Sequence, residues 1–188
     1  MNNQSFKMSL LKGYQIEKFY KQKPPKDNSL TTLKEIQQLS RIPSNEKFAK
    51  DKDDITKSFE SITKKNGLPF PKDLVNKIQQ ESAKHISKIK NHFNRPRPWA
   101  LSKKFDVDLK AIKMDSMKTP SYPSGHSVQG VLVGNVLAKM YPQHASEFKN
   151  EGLDISKSRR VAKAHYKSDS DLGEKIGNDM FDYIKNKV

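Results

Sequence analysis

Apolar residues recur along this chain at intervals of three and four, in runs that prolines cut off, and they almost nowhere alternate. That periodicity belongs to helices with one buried face and gives a sheet no pattern to form on. Ser29 is placed to cap a helix carrying Leu30, Leu33, Ile36, Leu39 and Ile42, which Pro43 ends. Asn45 is placed to cap a second helix, with Phe48, Ile55, Phe59 and Ile62 on its buried side; Asn66-Gly67 and two prolines then form a turn. From Pro71 a third pattern runs through Leu74, Val75, Ile78, Ile86, Ile89 and Phe93. It must break near Asn94, because Pro96 and Pro98 oppose helical geometry before them. Residues 99–122 read as a long loop with room for one short helix. A glycine-containing apolar helix is expected over about 124–140, another over about 145–164, and a last one from Ser168, placed as its cap, on Leu172, Ile176, Met180 and Ile184. The fold class is all-α, a single-domain helical bundle. Residues 1–23 form an N-terminal arm or helix stopped by Pro24-Pro25, and 24–188 form the helical domain.

The 188 residues suffice for one domain with a real core. Lysine and arginine outnumber aspartate and glutamate by 36 to 21, a formal charge of +15 that favours an anionic partner: phosphate esters, nucleic acid or an acidic membrane surface. Cysteine is absent, so disulfides and thiolate metal sites are excluded. The first residues lack a secretory pattern, and the longest apolar stretch, Val128 to Met140, is interrupted by Gln129, Gly130, Gly134, Asn135 and Lys139 and is too short to span a bilayer. A soluble, cytoplasmic protein without integral membrane association is expected.

Three short clusters carry the chemistry. Lys90 and Arg97 are seven residues apart, nearly one helix face, with Pro98 holding Arg97 at the helix end. Lys88 and Arg95 share that spacing, so the register stays open, and four solvated basic residues would look the same. Pro123-Ser124-Gly125-His126 opens the apolar helix. Gly125 lets backbone N–H groups approach an anion, the helix N-terminus favours negative charge, Ser124 adds a hydroxyl, and His126 can give or take a proton. A plain helix start, with Ser124 as cap and a surface histidine, fits the same residues. Ser158-Arg159, His165 and Asp169 complete the set. A carboxylate one turn from a histidine can fix its tautomer and free the other nitrogen as a nucleophile. Arg159 and His165, six apart, do not share a face of one helix, so a break before His165 is expected. A surface His–Asp pair is the competing reading.

The order and spacing of the three clusters resemble those of the phosphatidic acid phosphatase type 2 and vanadium haloperoxidase superfamily. Its pattern is Lys, six residues, Arg-Pro; then Pro-Ser-Gly-His; then Ser-Arg, five residues, His, three residues, Asp. Lys90/Arg97-Pro98, Pro123 to His126 and Ser158-Arg159/His165/Asp169 match it throughout. Arg95-Pro96-Arg97-Pro98 and Ser121 to His126 resemble the soluble bacterial non-specific acid phosphatases in particular, and so select Lys90 over Lys88. The resemblance covers roughly 24–188. It implies the helical fold of that superfamily and a metal-independent phosphomonoesterase with no cofactor, acting on a small phosphorylated substrate. It also implies that His165 attacks phosphorus, Asp169 orients it, and His126 protonates the leaving alcohol and then activates water. Lys90, Arg97, Ser124, Gly125 and Arg159 would bind phosphate, and mildly acidic pH would suit a protonated His126.

The chain departs from the pattern at Lys163, often glycine, and at Lys167, often proline. Lys163 is the residue expected to narrow the pocket or add a cation to it, if it packs there. His85, His92 and His144 lack metal spacing and read as surface or boundary residues. Tyr122, Trp99 and Phe105 read as core rather than substrate mouth. Two rivals share these features. A haloperoxidase would hold vanadate as its cofactor in the same pocket, though small size and the Arg-Pro repeat favour hydrolysis. A basic nucleic-acid-binding protein would concentrate its lysines in a stripe with exposed aromatics, whereas here they are spread over the whole chain.

Overall fold

The computed structural model describes residues 8–188, and among these there are helices and no strand. Eight α-helices follow in order: α1 Leu30–Arg41, α2 Glu46–Asp51, α3 Ile55–Lys65, α4 Lys72–Phe93, α5 Pro98–Ser102, α6 Gly125–Met140, α7 Ala145–Val161 and α8 Lys167–Ile184. Three of the expected caps, Ser29, Asn45 and Ser124, are in place. Ser29 Oγ accepts from Thr32 N–H at 3.2 Å, Asn45 Oδ1 from Phe48 N–H at 2.9 Å, and Ser124 Oγ from Ser127 N–H at 3.2 Å. Asn94 ends α4 in the left-handed region at φ 47°, one residue before the prolines take effect.

Three boundaries differ from the sequence reading. The helix expected to run on from Asn45 is two helices, because Asp54 turns its carboxylate onto Lys57 N–H at 3.0 Å and caps α3 afresh. Helix α7 ends at Val161 because Lys163 adopts φ 58°, a left-handed conformation that no helix continues through. Helix α8 begins at Lys167 with Tyr166 as its N-cap, not Ser168. Asp169 reaches back to Tyr166 N–H at 3.0 Å, which frees the Ser168 hydroxyl for Glu35.

Helix α6 is apolar nearly all round and is correspondingly the buried centre of the bundle. Its neighbours approach at backbone distance. A Cβ on Gly152 of α7 would stand 2.5 Å from Gly130 O, and one on Gly173 of α8 would stand 2.6 Å from Ser124 O. Glycine is what lets the three helices close on one another, and it brings the ends of α6, α7 and α8 together around Ser124. Ahead of α1, Leu10, Leu11, Tyr14, Ile16 and Phe19 are buried in the same core, and Tyr14 Oη donates to Asp179 Oδ2 at 2.6 Å. The start of the expected N-terminal arm, residues 1–7, lies outside the described residues. Among the described residues no helix is long and apolar enough to cross a membrane.

Candidate active site

Asp169, in the first turn of α8, is fully buried and accepts four hydrogen bonds. Arg95 Nη1 reaches its Oδ1 at 2.7 Å; His165 Nδ1 at 3.1 Å, Tyr166 N–H at 3.0 Å and the Ser121 hydroxyl reach its Oδ2. Burial alone would push its carboxyl up, but the His165 hydrogen bond, the charge of Arg95 and the Ser121 hydroxyl outweigh this and hold it down. The carboxylate is therefore ionised, and His165 carries its proton on Nδ1. Burial is also the main cause that takes His165 down to about 3; Arg97 and Lys90 add to it, and Asp169 opposes it. The imidazole is neutral, with Nε2 as its lone-pair nitrogen.

That nitrogen faces a cavity of about 310 Å³ lined by Lys90, Arg97, Gly125, His126, Ser116 and Thr119, among others. Arg97 Nη1 donates to His165 Nε2 at 2.9 Å and to Ala164 O at 3.0 Å, while its Nε donates to Thr119 O at 2.8 Å. The lone pair is thus covered by a guanidinium until something draws Arg97 away. Lys90, at the last turn of α4, is buried and donates to Pro120 O. Burial first, and then the neighbouring Arg97, lowers its pKa to about 7 against the pull of Asp169. Arg97 is lowered to about 10, again chiefly by burial. Two buried cations and a neutral histidine around one small void make a site short of negative charge.

Lys88, the competing choice of register, points outward and pairs with Glu17. Gly125 forms part of the cavity floor, where a Cβ would lie 3.9 Å from Lys90 Cε. His126 Nε2 lies 2.9 Å from Asp53 O, and since a carbonyl only accepts, that nitrogen carries the proton. Ser124 is fully buried, and its oxygen accepts from Ser127 N–H and from Ser127 Oγ at 2.9 Å. Arg159 is buried beside the cavity rather than lining it, with Nη1 on Asp53 Oδ1 at 2.7 Å and Nη2 on Ala49 O at 3.0 Å. Lys163 does not line the cavity either; its ammonium is held on Ile42 O, so it neither narrows the pocket nor charges it. Lys167 pairs with Asp171 at 2.6 Å on the surface.

This chain is similar, over part of its length, to proteins named acid phosphatase. A non-specific acid phosphatase of Salmonella typhimurium is 40% identical over 60 residues, 32% of this chain and 24% of the relative. An acid phosphatase of Zymomonas mobilis is 31% identical over 106 residues, 56% of this chain and 40% of the relative. A non-specific acid phosphatase of Providencia stuartii is 27% identical over 117 residues, 62% of this chain and 47% of the relative. The chain spans less than half the length of each of these relatives. No family model matches.

Four residues of the site carry no mark in the three motifs. Arg95 bridges Asp169 to Glu35, at 3.0 Å from Glu35 Oε2, and lies 3.7 Å over the Tyr166 ring. Glu35 also accepts from Ser168 N–H at 2.7 Å and from Ser168 Oγ at 2.9 Å. It was detectable as a carboxylate on the buried stripe of α1 beside Thr32, Ile36 and Leu39. Arg95 and Ser121 were visible only as members of the stretches that carry the resemblance, and Asp53 gave no signal. Among the described residues no three His, Asp or Glu side chains converge to hold a metal ion.

Proposed function

We propose that this chain is a phosphomonoester hydrolase of the phosphatidic acid phosphatase type 2 and vanadium haloperoxidase superfamily, working through a phosphohistidine without a metal. One observation carries the reading: His165 is fixed by buried Asp169 at Nδ1 while its Nε2 opens onto a cavity walled by Lys90, Arg97 and His126. A phosphoryl group entering that cavity would draw the Arg97 fork onto its oxygens, uncovering Nε2. The Nε2 lone pair would then bond to phosphorus as the P–O bond to the alcohol breaks. His126, protonated on both ring nitrogens, would pass its Nε2 proton to the leaving oxygen and be left neutral with its remaining proton on Nδ1. In the second half His126 would take a proton from water, the resulting hydroxide would attack phosphorus, and the P–N bond would break. Lys90, Arg97, the helix N-terminus at Gly125 and Ser124 would stabilise the equatorial oxygens, with Arg159 joining once Asp53 releases it. Asp169 would hold the phosphorylated imidazole as its charge develops.

The similarity to named acid phosphatases supports the same reading. Turnover of small phosphate esters, strongest at mildly acidic pH, is expected from the wild type, with none from His165→Ala. Asp169→Asn should lower kcat by two orders of magnitude or more, because it leaves His165 without the partner that sets its tautomer. A phosphohistidine trapped in His165→Ala would sink the assignment. Halide oxidation with added vanadate and peroxide, in the absence of ester turnover, would give the pocket to vanadate instead.

A further inference from the structure

Between α2 and α3 the chain leaves helical geometry for residues 52–54, and this break sets Asp53 against the anion cavity. Its Oδ1 lies 2.7 Å from Arg159 Nη1, 3.0 Å from Ser116 Oγ and 3.2 Å from His126 Nε2. The hydrogen bond to His126, together with Arg159 and Ser116, holds this carboxyl well below the usual range despite its partial burial. A third of the side chain is still exposed (33%), and it faces a second cavity of about 520 Å³. That vestibule shares His126 and Gln129 with the anion cavity, so it lies on the side from which His126 would protonate a leaving group.

The polar groups of the vestibule mostly accept hydrogen bonds. Besides Asp53 it presents Asp54, whose Oδ1 caps α3, and two glutamines. Gln129 Nε2 donates to Gln79 O at 3.0 Å and to Ser82 Oγ at 3.2 Å, and Gln79 Nε2 gives one of its two N–H groups to Thr56 Oγ1 at 3.0 Å, while both carboxamide oxygens remain as acceptors. Lys50, at the rim, is paired with Glu46 at 2.6 Å. A leaving group with hydroxyls finds partners here. One with its own negative charge must share the space with the Asp53 carboxylate or displace it. Every phosphoryl group makes the same demand on Arg159, so that demand cancels between substrates; the charge of the leaving group does not.

We propose that Asp53 sets the charge of the leaving group this site accepts, favouring phosphate monoesters of uncharged, hydroxyl-bearing alcohols over phosphoanhydrides and esters with a second anionic group. The inference rests on the phosphatase reading, and it is tested by binding as well as turnover. Methylphosphonate and methylenediphosphonate, neither hydrolysable, differ in the anionic tail that would point at Asp53. Calorimetry on the wild type, Asp53→Asn and Asp53→Glu gives the ratio of their dissociation constants. Two unit charges about 6 Å apart at an effective dielectric of about 40 correspond to a factor on the order of ten. Asp53→Asn should shift the ratio by about that much towards the diphosphonate, while Asp53→Glu, which keeps the charge, retains the wild-type ratio. If Asp53→Asn tightens both ligands equally, or if Glu and Asn shift the ratio alike, the proposal is overturned. Turnover of p-nitrophenyl phosphate, measured alongside, separates the two readings. The shifted ratio without turnover refutes hydrolysis and upholds the discrimination; a wild type that binds neither phosphonate refutes both.

Discussion

At the scale of single residues, the site depends on cations held where water is scarce. Lys90 is the most sensitive of them, because burial and Arg97 bring its pKa to about 7, inside the working range of an enzyme. In the free protein its charge is present below that value and lost above it. Tungstate, a tetrahedral dianion whose charge stays constant over neutral pH, should therefore bind about tenfold more weakly for each unit of pH well above 7. Lys90→Met should bind it weakly throughout with that slope removed, as titration calorimetry at several pH values would show; an unchanged slope in the variant would assign it to another group. Lys90, Arg97, His126, His165 and Asp169 could be read from the chain because each belongs to a motif with fixed spacing. The roles of Arg95, Glu35, Ser121 and Asp53 could not, although Arg95 and Ser121 lie in stretches that carry the resemblance and Glu35 on the buried stripe of α1, since their partners stand 48 to 133 residues away. Lys163 shows the converse. It stood out in the sequence, yet its left-handed backbone and the Ile42 carbonyl turn it away from the cavity.

At the scale of helices, the position of the site follows from how closely α8 approaches the N-terminus of α6. Gly173 permits that approach, and a methyl group there would meet Ser124 O at 2.6 Å and Ser127 Cβ at 2.7 Å. Neither atom sits at the end of a flexible chain, so one helix must move. Gly173→Ala is expected to cost about 1–3 kcal/mol of stability and to weaken phosphate binding as well, because Ser124 and Gly125 shift with the helix end. Chemical denaturation paired with phosphate calorimetry checks both. A variant that loses stability but binds normally would show that α8, not α6, gives way. The helices themselves were legible from periodicity and caps, while their ends were not where a side chain from elsewhere intervened. Asp54 split the helix after Asn45, and Asp169 moved the start of α8 to Lys167 by taking the cap from a residue that propensity favoured.

At the scale of the molecule, the same buried groups tie stability to pH. His165 has a folded-state pKa near 3 against about 6.5 unfolded. Between those values the unfolded chain binds the extra proton, so stability falls as pH drops from about 6.5 towards 3. Asp169 acts in the same direction further down: its depressed folded value means that its contribution is complete above its unfolded value near 3.9 and is lost as pH falls through the folded one. Urea denaturation should give a slope of up to about 1.4 kcal/mol per pH unit between pH 6 and 4.5 for the wild type. His165→Gln should flatten it, and an equal slope in that variant would rule His165 out as its source.

Periodicity and motif spacing are local properties, so the chain alone was enough to read helices throughout and to name eight site residues, of which Lys90, Arg97, Gly125, His126 and His165 line one cavity. The tertiary structure alone decided which cations face that cavity and which are already paired. It brought Arg95 and Glu35 behind Asp169, tied Arg159 to Asp53, and turned Lys163 towards α1. The physical reason is the cost of burying charge: each buried ion must find its counter-ion or carbonyl wherever the packing of distant helices provides one, and no local pattern records that choice.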